Sequence, residues 1–204
     1  DSKKDPNITA RSEKDNRKLI LFFGNSLTAG YGVEKNQAFP ALIQQKIDSI
    51  GLPYKVKNAG ISGETTAEGK ERVQWILDEE TPDIFVLELG ANDGLRGLTL
   101  QQSYENLQKI IDRVWKHQKD TKILLTGMKI PPNMGKDYTE SFHNIYQKLK
   151  KKNELSLMPF LLSKVGGKKE LNLPDGIHPN QKGHQIVANN VWDYLYPLLD
   201  HSKN

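Results

Sequence analysis

The sequence of 204 residues contains no cysteine, and none of its apolar runs approaches the length of a membrane-spanning helix. The missing thiols exclude disulfide bonds, thiolate metal ligands and a cysteine nucleophile. A helix that crosses a bilayer needs about 20 consecutive apolar residues, so the sequence predicts none. A His-x-x-x-His pair is also lacking, and without thiolates or that pair we expect no metal site. Covalent catalysis would therefore need another nucleophile.

A strong excess of one charge is lacking as well. Lys and Arg number 29 against 25 Asp and Glu, and the formal net charge of +4 does not by itself indicate nucleic-acid binding. The excess is local, because residues 148–169 contain seven Lys and one Glu, which leaves the rest of the chain slightly acidic. Such a run is usually a solvated face. The alternative is that it attracts anionic lipid or coenzyme A phosphates towards a site.

The distribution of apolar residues predicts one domain of the α/β class. Residues 1–17 are polar and lack periodicity, and we interpret them as a flexible N-terminal tether before a domain over residues 18–204. Short apolar runs predict strands at Lys18–Phe23, Tyr54–Asn58, Ile84–Glu88 and Lys122–Gly127, with a weaker candidate at Met158–Leu162. Helical spacing predicts helices that begin at Phe39, Thr66, Leu100, Tyr138 and Gln181, the last extending to Leu199. This alternation indicates a mostly parallel sheet with helices on both faces.

Chemistry in such a sheet is expected beyond the carboxyl ends of the strands, where ligands bind. The segment after the first predicted strand reads GNSLTAGYG and contains Ser26. It has neither the Gly-Lys-Ser/Thr pair of a phosphate loop nor the glycine spacing of a dinucleotide-binding turn. It also differs from the G-x-S-x-G elbow, because Thr28 stands at the second glycine position. Ser26 is therefore either a nucleophile in another kind of turn or part of an ordinary glycine-rich loop.

The next two predicted strands are followed by candidate hydrogen-bond donors. The segment NAGISGETT places Gly63 just before a helix start, for which Thr65 or Thr66 is the expected N-cap. The N–H of Gly63 would then lie near the positive end of the helix dipole. The segment ELGANDGLRG contains Asn92, whose side-chain amide is either a turn former or a donor to an oxyanion.

The segment DGIHPN, before the last predicted helix, places Asp175 three residues ahead of His178. This spacing lets a carboxylate hold one imidazole nitrogen and leave the other free as a base, although simple Asp–His turns share it. A serine nucleophile needs an adjacent base, and a tetrahedral intermediate needs donors for its oxyanion. The four segments together supply such an acyl-transfer site, with an oxyanion hole formed by Ser26 N–H, Gly63 N–H and the Asn92 amide.

The four motifs, in this order and at these strand ends, resemble the SGNH family of serine hydrolases, also called GDSL esterases and lipases, over residues 18–199. The likeness is greatest to bacterial multifunctional acyl-CoA thioesterases, lysophospholipases and arylesterases. It implies a three-layer α/β/α flavodoxin-like fold and a serine esterase that cleaves carboxylic esters and thioesters through an acyl-enzyme without a cofactor. It makes Ser26 the nucleophile, His178 the base and Asp175 its orienting partner. It also makes Gly63 and Asn92 oxyanion donors.

The resemblance further implies substrate contacts from four residues near the acyl pocket, which are Asn25, Asp93, Leu95 and Ile177. The loop formed here by residues 93–98 borders this pocket in relatives. One position departs from the family, which usually has Asp where this chain has Asn25. Because Asn and Asp side chains both bond nearby backbone groups, we favour a role in shaping the turn over a role for charge in tuning His178.

Two other functions stay open from the residues alone. One is a carbohydrate or peptidoglycan O-deacetylase with the same machinery, and the other is a non-catalytic flavodoxin-like binding module. As partners we expect a small-molecule or lipid ester and a peripheral contact with a membrane, but no nucleic acid, and we expect a monomer. Residues 1–17 suit a linker after a cleaved signal peptide or a lipidated residue upstream. We therefore expect the cell envelope, periplasmic or lipid-anchored, with the cytoplasm as the alternative.

Some side chains outside the motifs carry structural expectations. We expect His184 to lie at the surface near the start of the last helix, or to cap it. Arg96 is expected to point to solvent rather than to an anionic substrate group. The indole rings of Trp75, Trp115 and Trp192 are expected to pack in the core.

Overall fold

The computed structural model describes residues 15–201, so most of the predicted tether, residues 1–17, lies outside the described residues. Within that range the strands are β1 (Lys18–Gly24), β2 (Tyr54–Gly60), β3 (Ile84–Glu88), β4 (Lys122–Thr126) and β5 (Ser156–Met158). All strand pairs are parallel, and the order across the sheet is β2-β1-β3-β4-β5, which is the flavodoxin-like order. The predicted α/β class with a parallel sheet is confirmed.

Helices cover both faces of this sheet. They are α1 (Ser26–Ala29), α2 (Phe39–Ser49), α3 (Thr66–Glu79), α4 (Ala91–Leu95), α5 (Leu100–His117), α6 (Lys136–Asn153) and α7 (Gln181–Leu195). Helices α2 and α7 pack together on one face, and α3, α5 and α6 pack side by side on the other. Connections between parallel strands are right-handed, so the direction of each connection decides which face its helix covers. The chain first moves from β1 to β2 and then in the opposite direction towards β5, and the helices of these two parts therefore lie on opposite faces. None of the helices in the described range combines the length and apolarity of a membrane-spanning segment.

The ends of some elements differ from the predictions for local reasons. The one-turn helices α1 and α4 are too short to show periodicity, so the sequence does not predict them. Strand β5 covers Ser156–Met158 and shares only Met158 with the predicted run, because Pro159 has no N–H for a strand ladder and ends the strand. Helix α7 ends at Leu195 rather than at Leu199, because Pro197 cannot continue the helical hydrogen bonds and a 3₁₀ turn replaces them.

The central strands are buried on both faces, which explains their unbroken apolar sequence. Residues 20–23 of β1, for example, are fully shielded from solvent. On α3 the buried positions recur every three or four residues and include Val73. Trp75 does not join the core as expected, because it lies about 200° round the helix from Val73 and is 78% exposed. Trp115 and Trp192 do pack against the core, as partly buried side chains.

His184 is buried in the first turn of α7, contrary to the surface position expected for it. Its Nδ1 atom accepts a hydrogen bond of 3.2 Å from the backbone N–H of Phe39, at the start of α2. Burial, together with the nearby His178, lowers the pKa of His184 to about 4. The ring is therefore neutral at neutral pH and joins α2 to α7 from the inside.

Candidate active site

The predicted nucleophile, base and oxyanion donor meet at the carboxyl ends of the strands, beside β1 and β3. Strand β1 lies between β2 and β3, and the connections that leave β1 and β3 run in opposite directions across the sheet. A crevice that can hold a ligand forms at this point, outside the carboxyl ends of the two strands. Ser26 is the first residue of α1, directly after β1, and Asn92 lies in α4, after β3. His178 reaches Ser26 from the loop between β5 and α7. Segments far apart in sequence thus share one edge of the sheet.

Ser26, His178 and Asp175 form a continuous chain of hydrogen bonds. The Oγ atom of Ser26 lies 2.9 Å from Nε2 of His178, and Nδ1 of His178 lies 2.7 Å from Oδ2 of Asp175. An ionised carboxylate can only accept, so Nδ1 carries the proton that it donates to Asp175. Nε2 is then the unprotonated nitrogen and can accept the proton of the Ser26 hydroxyl. The three residues therefore have the arrangement of a nucleophile, a base and a carboxylate that orients the base.

The loop around Asp175 holds its carboxylate ready for His178. The second oxygen, Oδ1, accepts hydrogen bonds from the backbone N–H groups of Ile177 and His178, at 2.9 and 3.0 Å. Desolvation raises the pKa of Asp175, but the bonds from the backbone and ring of His178 and from the Ile177 backbone outweigh it and lower the pKa to about 2. Gly176 supplies the positive φ of 70° that this tight turn requires. Asp175 is therefore ionised at any pH at which His178 can act as a base.

The turn that presents Ser26 is closed by its neighbour Asn25. The Oδ1 atom of Asn25 caps α1 by accepting a hydrogen bond of 3.0 Å from the backbone N–H of Leu27. Gly30 ends this single turn with a φ of 80°. Asn25 thus performs the turn-shaping task expected of it, and it also lines the cavity beside Ser26.

A buried carboxyl group that the sequence analysis does not single out supports the same turn from below. Oε2 of Glu88, at the end of β3, accepts hydrogen bonds from Asn25 N–H at 3.1 Å, Thr28 N–H at 3.3 Å and the Thr28 hydroxyl at 2.8 Å. A side chain at Gly24 would place its Cβ 2.6 Å from that oxygen, so the neighbouring strand must carry a glycine there. The only sequence signal for Glu88 is a single charged residue at the end of an otherwise apolar strand.

The predicted oxyanion donors are held by contacts between the loops after β2 and β3. Asn92 Nδ2 donates a hydrogen bond of 2.9 Å to the backbone carbonyl of Glu64, and Arg96 Nη2 donates one of 3.0 Å to the carbonyl of Gly63. Gly63 adopts a φ of 83°, which only glycine accepts readily. Arg96 is exposed as expected, but its guanidinium group is bound to this loop. Thr65 is the N-cap of α3, as the sequence predicts.

The side chain of Glu64 fixes this loop from the other direction. Both of its oxygens accept hydrogen bonds of 2.6 Å from the guanidinium group of Arg72. That group lies 4.0 Å from the ring centre of Phe23, and it also donates to the carbonyl of Ala59. A bidentate ion pair that is stacked on a core aromatic ring is a rigid support for the adjacent backbone of Gly63.

Asp93 is placed differently from the prediction of a substrate contact. Its carboxylate is buried and accepts hydrogen bonds from the Thr66 N–H at 2.9 Å, the Thr66 hydroxyl at 2.6 Å and the Ser103 hydroxyl at 3.1 Å. These partners lie in the first turns of α3 and α5, away from the cavity beside Ser26. The substrate-binding assignment of Asp93 is therefore corrected to a structural one, in which it joins α4 to the first turns of α3 and α5.

A cavity of about 480 Å³ opens beside Ser26 and His178. Leu95 and Ile177 line it as predicted, and most of the other lining side chains are apolar, including Met128, Ile130, Phe160 and Leu162. A second hollow, of about 520 Å³, lies at the outer edge of β2 and contains none of the predicted site residues. Within residues 15–201 no three His, Asp or Glu side chains are grouped as metal ligands. Because most of its lining side chains are apolar, the cavity beside Ser26 offers an apolar wall next to the hydrogen-bonded side chains of Ser26 and His178.

The basic segment, residues 148–169, divides into two parts around this cavity. Residues 148–152 lie at the end of α6 and are not among the cavity-lining residues, and Lys152 lies 6.0 Å from the ring centre of Tyr104 on α5. The second part, from Lys164 to Lys169, includes Gly166 and Gly167, which do line the cavity. The lysines of this second part are not themselves among the lining residues, and Lys164 lines a separate hollow with Asn190 and Tyr194. Among the described residues, the lysine that lines the cavity beside Ser26 is Lys129, which lies outside the basic segment.

Comparison with known proteins identifies the family of the chain. Residues 22–186 match the GDSL-like Lipase/Acylhydrolase family. The chain is 36% identical to the arylesterase of Vibrio mimicus over 94% of each chain. It is 37% identical to thioesterase 1/protease 1/lysophospholipase L1 of Escherichia coli, over 89% of this chain and 85% of that protein. A crystal structure of TesA, 38% identical, superposes with a TM-score of 0.86 over 89% of this chain and 100% of that one. The chain therefore belongs to the GDSL-like Lipase/Acylhydrolase family.

Proposed function

We propose that this carboxylic ester hydrolase cleaves its substrates through an acyl-enzyme on Ser26. The observation that carries the proposal is the unbroken hydrogen-bonded chain from Asp175 through His178 to Ser26, which ends at the wall of an apolar cavity. A serine hydroxyl is a poor nucleophile at neutral pH, and a base at hydrogen-bonding distance corrects this. The cavity supplies a place for the acyl chain next to the attacking oxygen.

In the acylation step, Ser26 Oγ attacks the ester carbonyl carbon while His178 Nε2 takes the hydroxyl proton. Asp175 stabilises the imidazolium that forms and keeps its ring in position. The carbonyl oxygen becomes an oxyanion, and we assign its stabilisation to the N–H groups of Ser26 and Gly63 and to the amide of Asn92. Each such donor contributes roughly 10²–10³-fold in rate. His178 then returns the proton to the leaving alcohol or thiol.

In the deacylation step, a water molecule attacks the acyl-enzyme and gives a proton to the same nitrogen of His178. The second tetrahedral intermediate uses the same donors, and its collapse returns the proton to Ser26 and releases the acid. No step needs a cofactor, because the histidine carries every proton that moves.

The apolar wall favours substrates with an acyl chain rather than acetyl esters. Burial of each methylene group against such a wall contributes about 0.8 kcal/mol. The names of the relatives point to aryl esters, lysophospholipids and acyl thioesters as the substrate classes to examine. We propose esters of this kind, presented as single molecules or at a lipid surface, as the substrates of this chain.

The test is a series of p-nitrophenyl esters of increasing acyl length, assayed with the wild type and with Ser26→Ala. We expect Ser26→Ala to lose turnover while its unfolding curve is unchanged, and we expect a fluorophosphonate to label the wild type but not this variant. Unchanged turnover in Ser26→Ala would disprove the assignment. Activity confined to the acetyl ester would favour an O-deacetylase, and absence of labelling would favour a non-catalytic binding module.

A further inference from the structure

The rings of Tyr31 and His178 lie in contact, although the two residues come from different loops of the site. The ring centres are 4.6 Å apart and the ring planes are tilted by 42°. This separation is at the short end of the range for aromatic pairs, so the tyrosine ring lies against a face of the imidazole rather than against its edge. Tyr31 is 51% exposed, and the side chain of His178 is 20% exposed. The tyrosine ring therefore covers the imidazole on one side and meets solvent on the other.

The backbone around Tyr31 is bound to the nucleophile and packs against the loop of the base. The N–H of Tyr31 donates a hydrogen bond of 3.0 Å to the carbonyl of Ser26. The next residue, Gly32, lies so close to Leu173 that a Cβ atom there would overlap the leucine side chain. The N–H of Leu173 in turn donates a hydrogen bond of 2.7 Å to the carbonyl of His178. The position of Tyr31 is therefore fixed both by the residue that attacks and by the loop that carries the base.

The face contact supplies a restraint that the hydrogen bonds of His178 do not. Those bonds, to Ser26 and Asp175, join the two ring nitrogens and lie close to the ring plane. They restrict motion within that plane more than a tilt out of it, whereas a ring packed on the face opposes the tilt. A base held in this way needs no reorientation before it accepts the serine proton.

The same contact acts on the charge that His178 acquires. When the imidazole accepts the proton of Ser26 it becomes a cation, and an aromatic face attracts a cation that lies within about 6 Å of the ring centre. The carboxylate of Asp175 meets this charge at the edge of the imidazolium, and Tyr31 meets it at the face. Because the charge exists only after proton transfer begins, the attraction lowers the barrier without strengthening substrate binding.

We propose that Tyr31 is a positioning residue for the reaction, whose aromatic face holds His178 towards Ser26 and stabilises the imidazolium formed in both steps. It acts through His178 rather than on the substrate, since the described residues that line the cavity beside Ser26 include His178 but not Tyr31. The inference rests on the proposed function, because it concerns the base of the same site.

Two variants separate the aromatic face from the rest of the side chain. Tyr31→Phe keeps the ring and removes the hydroxyl, whereas Tyr31→Leu keeps an apolar side chain without an aromatic face. Tyr196→Leu is the matched control, because Tyr196 is 43% exposed and its ring centre lies 4.4 Å from that of His201, at a tilt of 46°. This second tyrosine–histidine pair has nearly the same geometry and lies beyond the end of α7, outside the site.

The readouts are kcat and KM on a p-nitrophenyl ester and the rate of Ser26 labelling by a fluorophosphonate, each normalised to the fraction of folded protein. We expect Tyr31→Leu to lower kcat by about three- to tenfold, with KM changed by less than about twofold. The labelling rate should fall by a similar factor, because labelling also requires His178 to activate Ser26. Tyr31→Phe should recover kcat to within about twofold of the wild type, and Tyr196→Leu should retain wild-type kcat.

The proposal is overturned if Tyr31→Leu retains kcat and the labelling rate within about twofold of the wild type. An equal loss in Tyr31→Phe would also overturn it, because the hydroxyl and not the aromatic face would then be responsible. A rise in KM with kcat unchanged would mean that Tyr31 contacts the substrate instead of the base. Ser26→Ala keeps the two proposals apart, since turnover that survives in that variant rejects the proposed function itself, whatever the behaviour of Tyr31.

Discussion

Arg96 donates a hydrogen bond from Nη2 to the backbone carbonyl of Gly63, which joins the loop after β3 to the loop after β2 at 3.0 Å. Gly63 has a φ of 83°, and a side chain at this position would meet nothing closer than the same guanidinium group, at 3.9 Å. The loop is therefore open on the solvent side, where Arg96 supports it in addition to the ion pair between Glu64 and Arg72. Asn92 holds the next carbonyl, that of Glu64.

From this contact we predict that Arg96→Ala lowers kcat by about three- to tenfold while KM changes little, because a displaced Gly63 N–H weakens the transition state more than the ground state. Steady-state kinetics on one ester measure the split. The exposed Lys116→Ala on α5 serves as the control for loss of a surface cation. An increase in KM alone would show that Arg96 contacts the substrate instead of the loop.

A second prediction concerns Asp175. In Asp175→Asn the amide nitrogen would face His178 Nδ1, which favours the imidazole tautomer that cannot accept the Ser26 proton. We expect kcat/KM to fall by about 10²–10⁴-fold, with a melting temperature close to that of the wild type because Asp175 lies in an exposed turn. Asp78→Asn, on the outer face of α3, makes the same change away from the site. A loss below about tenfold would contradict a role for this carboxylate in orienting the base.

The fold was predictable from the sequence because its strands are buried on both faces. The run of residues 19–23 is apolar at every position, and this pattern is unambiguous when turn residues bound it. The one-turn helices that carry Ser26 and Asn92 have no such signal. The prediction that Trp75 packs in the core was wrong because it was based on the residue type alone. The angular position of Trp75 on α3 already places it opposite the buried Val73.

The triad was predictable because Ser26 follows a predicted strand and Asp175 and His178 precede a predicted helix, each in a recognisable segment, whereas the supporting side chains were not. The direction that Asp93 takes depends on Thr66 and Ser103, which lie 27 and 10 residues away. Glu88 likewise acquires its role only from the turn that β1 places beside it. Sequence periodicity locates residues on elements, but the partners of a buried polar group come from other elements.

The buried His184 leads to a prediction about stability. Its pKa is about 4 in the folded protein, compared with 6.5 when unfolded, so the unfolded chain binds more protons between these values. Stability is therefore lost as the pH falls from about 6.5 to about 4, by up to about 3 kcal/mol for this group. We predict that His184→Asn flattens this part of the pH dependence, although it lowers stability at neutral pH by removing buried contacts.

Urea unfolding at several pH values gives the free energy of unfolding as a function of pH for the wild type and for His184→Asn. The difference between the two slopes removes the contribution of groups that titrate in both proteins, such as Glu88. His117→Asn, at the exposed end of α5, is the matched control and should leave the slope unchanged. Equal slopes in the wild type and in His184→Asn would mean that the buried ring is already protonated or that its burial is relieved in solution.

The last prediction concerns the cavity beside Ser26. Leu162 lines it from the loop after β5, and its side chain is nearly buried. In Leu162→Trp the larger ring would occupy space that the end of a long acyl chain would otherwise fill. Each methylene group excluded from apolar contact costs about 0.8 kcal/mol, or about fourfold in kcat/KM. We therefore expect the ratio of kcat/KM for octanoyl to butyryl p-nitrophenyl esters to fall by about tenfold or more.

Ile61→Trp provides the control, because Ile61 is exposed and lies outside the cavity lining. It should leave the octanoyl-to-butyryl ratio unchanged. A parallel fall for both esters in Leu162→Trp would indicate damage to the catalytic residues, and an unchanged ratio would place the acyl chain elsewhere. Only a selective loss of the longer substrate connects this cavity to the acyl group, because the reacting carbonyl and the leaving group are identical in the two esters.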